Sequence, residues 1–218
     1  MLLPIVALLL APRALSSGSQ ESHDIIVLIR DQGNPIDEVL TTELVGDLLT
    51  AGLQPNQIMR MTNFSDNESY WTLLPWFLAV AEKDVTAQWY LFLEPESKVD
   101  VGAFAEFVAT LDASEPHFIG NACKDMKAAI THHYRLGLQY PFLPSGFLLS
   151  STLMASTVGY LKTHRMGNDF QIDVAHELAS FFDKRLQVQI QHTDRFCSHD
   201  VSFDDDEASS SSSSSSSS

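Results

Sequence analysis

Three scarcities bound what this chain can be. Basic residues are few: 13 Lys and Arg stand against 28 Asp and Glu, for a formal charge of -15. No basic run exceeds two residues, His164-Arg165 and Lys184-Arg185 being the nearest to one. Nucleic-acid binding, which rests on neutralising phosphates with a basic face, is excluded as an expectation. Cysteine is almost absent, with only Cys123 and Cys197 in 218 residues. Two cysteines make neither a disulfide scaffold nor a zinc site, and leave open one disulfide, two separate buried thiols, or pairing of Cys197 with a cysteine outside this chain. Long apolar runs are also missing. The longest, Leu2-Leu3-Pro4-Ile5-Val6-Ala7-Leu8-Leu9-Leu10, is too short to cross a bilayer, so no stable membrane span is expected.

That short run has the length of a signal-peptide core. Ala14-Leu15-Ser16 supplies small residues for cleavage, so residues 1–17 are read as a signal peptide. Two glycosylation sequons, Asn63-Phe64-Ser65 and Asn67-Glu68-Ser69, agree with that reading and make Asn63 and Asn67 candidate glycan acceptors in the secretory pathway, in the endoplasmic reticulum lumen or beyond it. At the other end, residues 204–218 combine Asp204-Asp205-Asp206-Glu207 with an uninterrupted serine run. Such a segment has no apolar surface to bury and is expected to be disordered. What remains, residues 24–203, is long enough for one domain, and 44% hydrophobic residues suffice for its core.

Within it, strand and helix patterns alternate. His23–Arg30 is a β-branched apolar run, and Ile36–Leu49 carries apolar residues at helical spacing up to Gly52. Ile58–Met61 reads as a strand, Trp71–Lys83 as a helix, Gln88–Leu93 as the central strand and Val101–Leu111 as a helix. Further strands are expected at Phe118–Gly120 and Ala128–His133, and helices at Leu153–Thr163 and Phe170–Phe182. Leu186–Gln191 alternates strictly, the mark of a half-buried strand. The alternation predicts an α/β fold with a mostly parallel, doubly wound sheet of Rossmann-like type.

The central strand ends in Glu94-Pro95-Glu96. Ligands bind at the C-terminal edge of strands in such sheets. Two carboxylates one residue apart can hold a divalent ion against a diphosphate, which makes Glu94 and Glu96 candidate metal and cofactor ligands. The plainer alternative is a charged, solvated strand end, and the residue chemistry favours it: proline fixes the backbone between the two, and glutamate arms are longer than the tight geometry of Mg²⁺ or Mn²⁺ prefers. Gly146 fits a close backbone approach, either to a ligand or to a neighbouring strand. His132 and His133 are adjacent in an expected strand and point to opposite faces, so they and His176 are read as core or surface residues, not metal ligands. Trp71, Trp76 and Trp89 are read as core or interface anchors.

Several blocks together resemble one family. Trp89–Val99 resembles the strand and metal motif of Fringe-like glycosyltransferases, glycosyltransferase family 31. Tyr140–Ser150 resembles their acceptor-side tyrosine-proline, glycine and leucine-serine block, and Asn168–Val174 lies where they carry an acidic pair opening a helix. Together with Ile130–Tyr134, His176-Glu177 and Phe196–Phe203, these blocks resemble the amino-terminal half of the family's β-1,3-glucosyltransferases, over about residues 24–203. The resemblance implies a GT-A fold and, in an active enzyme, Mn²⁺ and UDP-glucose. It also implies a glycoprotein acceptor bearing O-linked fucose on thrombospondin type 1 repeats. Asp169 and Asp173 then become candidate general bases for the acceptor hydroxyl, against the alternative that they cap a helix and match its dipole. The resemblance to the β-1,3-glucosyltransferases further implies a second, carboxy-terminal half in which those enzymes carry the aspartate run that binds metal and nucleotide sugar. The expectation for this chain is therefore a non-catalytic, substrate-recognising half needing no cofactor, with a catalytic half as possible partner. An active inverting transferase is the second expectation, and a secreted binding protein without transferase activity the third.

Overall fold

In a computed structural model, the residues described are 25–31, 33–62, 73–83, 86–125, 137–164 and 173–197. The expected signal peptide, both sequons, Trp71, the strand at Ala128–His133, Asp169 and the acidic serine tail lie outside them.

The elements run in alternation: β1 (Ile25–Asp31), α1 (Pro35–Thr50), β2 (Ile58–Thr62), α2 (Leu74–Glu82), β3 (Trp89–Leu93), α3 (Val101–Val108), β4 (Phe118–Gly120), β5 (Ala122–Lys124), β6 (Gln139–Pro141), β7 (Phe147–Ser150), α4 (Ser151–Thr163), α5 (Val174–Phe181) and β8 (Gln191–His192). Six strands form one sheet in the order β2-β1-β3-β7-β4-β8. β1 pairs parallel with β2 and β3, β7 runs antiparallel to β3 and β4, and β4 pairs parallel with β8. Five of these strands thus point one way and β7 is reversed among them. β5 and β6 make a separate antiparallel ribbon.

Strand alternation sorts the core into two layers. Ile26, Leu28, Tyr90 and Phe92 pack with Phe77, Val80, Leu153, Leu178 and Phe181 from α2, α4 and α5. Ile25, Val27, Ile29, Trp89, Leu91 and Leu93 pack with Leu44, Leu48 and Val108 from α1 and α3. Every residue of β3 is buried, as a strand covered on both faces must be. The α/β, doubly wound expectation is what the structure has, and Trp76 and Trp89 are core residues.

The helices start where their caps sit. Asn34 accepts from the backbone of Ile36 and Asp37, with Pro35 in the first turn of α1. Asp100 caps α3 and Ser150 caps α4. α5 begins later than its expected start at Phe170: Asp173, in extended conformation, is the cap and Val174 the first helical residue.

One expected strand does not form. Over Leu186–Gln191 the alternation of inward and outward side chains is present, but Phe182–Leu186 make a π-helical turn and Gln187 turns left-handed at φ 58°. Only Gln191 and His192 reach strand pairing, against Ile119 and Gly120. Ile190 satisfies its burial without a ladder.

Candidate functional site

The C-terminal edge of β1, β2 and β3 is where a ligand would be met in this class of sheet. Residue by residue, that edge is built of ion pairs. Ile26 lies opposite Tyr90 and Leu28 opposite Phe92. One step further along, Arg30 Nη1 donates to Glu94 Oε1 at 2.9 Å, with both side chains largely buried at 18% and 13% exposure. Burial pushes the Glu94 carboxyl above its ordinary value, and the charge and hydrogen bond of Arg30 oppose it without cancelling it. On the other face, Arg60 Nη2 donates to Asp31 Oδ2 at 2.6 Å, and Gly33 N donates to Asp31 Oδ1 at 2.8 Å. Burial raises the Asp31 carboxyl, but these bonds more than reverse it and leave it below its usual range.

The Glu94-Pro95-Glu96-Ser97 segment is a tight turn closed by Ser97 N donating to Glu94 O at 3.0 Å, with proline in the position such turns favour. Ser97 Oγ accepts from Glu94 N at 3.1 Å and donates to Pro144 O at 2.9 Å, tying the turn to the Leu143–Ser145 segment. Glu94 therefore faces Arg30, while Glu96 is exposed. Among the described residues no group of three or more His, Cys, Asp or Glu side chains could hold a metal ion. The donor set fits a divalent cation poorly: one carboxylate is committed to a guanidinium, and the other stands on the far side of a rigid turn.

Gly146 has φ 75°, a conformation only glycine adopts easily. A Cβ there would lie 2.7 Å from Phe92 O and 2.9 Å from Leu93 Cδ2. Of the two close approaches the sequence allowed, the neighbour in this structure is β3.

Asp173 Oδ1 accepts from His176 N at 3.0 Å as the α5 cap, and Asp169 lies outside the described residues. What the sequence reading did not find is the cluster beside Asp173. Asp125, directly after β5, takes Tyr140 Oη at 2.7 Å on Oδ1. His176 Nε2 stands 3.2 Å from its Oδ2. The Tyr140 and His176 rings are 4.0 Å apart. Burial, then the bond to Asp125, holds the Tyr140 phenol well above its usual range, so it stays a neutral donor. Burial and then the charge of Asp125 push the Cys123 thiol up. The three residues are 15 and 36 positions apart in sequence, so no local motif marks them. Only the pairing of β5 with β6, and α5 packing on β6, joins them. Cys123 and Cys197 are both unpaired.

No protein-family model matches the chain. Against curated proteins, it is 27% identical over 205 residues to β-1,3-glucosyltransferase of Homo sapiens, and 26% identical over 191 residues to the Mus musculus enzyme. The chain is similar to β-1,3-glucosyltransferase over most of its length. That is the relationship implied by the residue blocks. The matches cover 86% and 82% of this chain but only 41% and 39% of the β-1,3-glucosyltransferases themselves. Among solved structures, a glycosyltransferase involved in the glycosylation of the major capsid of PBCV-1 superposes with a TM-score of 0.48 at 12% identity, covering 78% of this chain and 81% of that one. Among the described residues no helix is long and apolar enough to cross a membrane.

Proposed function

We propose that this chain is a glycosyltransferase-fold domain of the secretory pathway that recognises a glycoprotein acceptor and supports glucose transfer without performing metal-dependent transfer itself. The observation that carries this reading is the Arg30–Glu94 pair. A carboxylate needed for Mn²⁺ and a sugar diphosphate is neutralised by the chain's own guanidinium, and the second, Glu96, points to solvent. The similarity to β-1,3-glucosyltransferase supports the acceptor class, O-fucosylated thrombospondin type 1 repeats, and a catalytic half as partner. The apolar opening and the sequons support the compartment.

Calorimetry with millimolar UDP-glucose and Mn²⁺ tests the reading, alongside titration of fucosylated and unfucosylated repeats. Absence of metal-dependent nucleotide binding, with binding to the repeats, is the expected result. Metal-dependent UDP-glucose binding that Glu94→Ala and Glu96→Ala both abolish would instead establish the active inverting transferase. In that reading Asp169 or Asp173 would serve as base, or His176 held by Asp125. Absence of binding to either ligand would leave a secreted protein unrelated to transfer.

A further inference from the structure

A cavity of about 370 Å³ lies on the α3 side of the sheet, away from the Arg30–Glu94 face. Its walls are Leu91 and Leu93 of β3, Phe104 and Phe107 of α3, and Phe196 from the turn after β8. The volume falls in the range of small-molecule sites, about 300–1,000 Å³, and an apolar lining with a few polar groups at one end is their usual composition.

The charged groups of its lining are two cations and two carboxylates, Lys98, Arg195, Asp100 and Asp194, beside the polar Ser145 and Cys197. The carboxylates have other work. Asp100 Oδ1 accepts from Ala103 N at 2.9 Å as the α3 cap, facing the positive end of that helix. Asp194 Oδ1 lies 3.0 Å from His192 Nε2, and its side chain is 99% exposed, where solvent screens its charge. Among the described residues Arg195 has no ion-pair partner, and its guanidinium rests over the Phe107 ring of the cavity wall at 5.2 Å. Lys98 is exposed and has no ion-pair partner among the described residues. In a chain of charge -15, a lining whose two cations balance its two carboxylates departs from the acidic average.

We propose that this cavity binds a small amphipathic anion, its aromatic or aliphatic body against Leu91, Leu93, Phe104, Phe107 and Phe196 and its acidic head between Lys98 and Arg195. Two dyes separate the two parts of the claim. 8-Anilinonaphthalene-1-sulfonate has the body and the anionic head, and N-phenyl-1-naphthylamine has a similar body with no charge. Fluorescence titration of the full chain is expected to show one saturable site for each. Lys98→Glu with Arg195→Glu is expected to weaken the sulfonate dye about tenfold or more and leave the neutral dye within about twofold, since the change is coulombic. Ala103→Trp, at an exposed position on the cavity wall, is expected to abolish both. Circular dichroism confirms that each variant folds. If Ala103→Trp does not fold, the charge reversal and the dye comparison still decide. No saturable binding, equal effects of the charge reversal on both dyes, or binding untouched by either variant would each overturn the proposal.

Discussion

Arg30 and Glu94 continue a row of cross-strand pairs: Ile26 against Tyr90, Leu28 against Phe92, then Arg30 Nη1 2.9 Å from Glu94 Oε1. The register that packs the core also delivers a cation to the carboxylate that a metal would need. Removing one partner of a largely buried pair leaves the other uncompensated, which costs about 3 kcal/mol or more. Arg30→Met is expected to destabilise by that order in urea unfolding. Arg30→Met with Glu94→Leu is expected to recover most of it, because both charges are then gone. A double variant no more stable than the single one would show that the pair is not the relevant interaction.

The two acids at this edge respond to pH in opposite directions. Asp31 has a folded-state pKa below its ordinary 3.8. Its contribution is therefore present above 3.8 and lost as pH falls through the lower folded value. Glu94 has a folded-state pKa above its ordinary 4.5. The folded chain binds that proton more tightly than the unfolded one, so the cost of the ionised group is full at higher pH and relieved as pH falls through the folded value. Comparing each variant with the parent cancels other groups. The stability lost in Asp31→Asn should shrink below 3.8. The parent should gain on Glu94→Gln as pH drops toward 4.5 from above. Urea midpoints across pH check both signs, and parallel curves would contradict the two shifts.

How much of the fold and the site was legible in the sequence follows from what each feature depends on. β3 is visible because Trp89–Leu93 is apolar at every position, which a strand buried on both faces requires. Asn34 and Asp100 cap α1 and α3 from the position directly before each helix, a signal the sequence reading did not use. For α5 the sequence offers Asp169 and Asp173 as caps, and Asp173 holds the position before Val174 in the structure. Leu186–Gln191 shows the limit of periodicity. The alternation reports which side chains are buried, and a left-handed Gln187 removes the ladder without changing that. The ion pairs of Arg30 and Arg60 needed the strand register, and the Asp125–Tyr140–His176 cluster needed tertiary contact between β5, β6 and α5.

Gly146 offers a test of the β7–β3 approach. An alanine there meets two penalties: a positive φ, worth about 1–3 kcal/mol, and a Cβ 2.7 Å from Phe92 O. Gly137 has a similar φ of 81°, but a Cβ added there would meet nothing within 4 Å among the described residues. Gly137→Ala should therefore lose only the backbone part, and Gly146→Ala distinctly more, in thermal or urea unfolding. Equal losses would mean that the strand can move away from the new methyl group.

Scaffold and candidate site can be separated within four residues of one another. Phe92 is 4% exposed, stacked on Phe147 at 4.6 Å and tilted against Phe77 at 5.4 Å. Phe92→Ala removes those ring contacts and leaves a cavity in the middle of the sheet, at a cost of about 3–5 kcal/mol. A domain of ordinary stability has only about 5–15 kcal/mol in total, so retention of Phe92→Ala in the secretory pathway is expected. Glu96 is exposed beyond a turn that Ser97 and Pro95 hold. Glu96→Ala should leave folding and secretion unchanged within about 0.5 kcal/mol. Pulse-chase secretion of the two variants, with unfolding curves for whatever is secreted, measures both. Normal secretion of Phe92→Ala would place the core elsewhere. Misfolding of Glu96→Ala would show that this carboxylate, and not only the turn around it, is part of the scaffold.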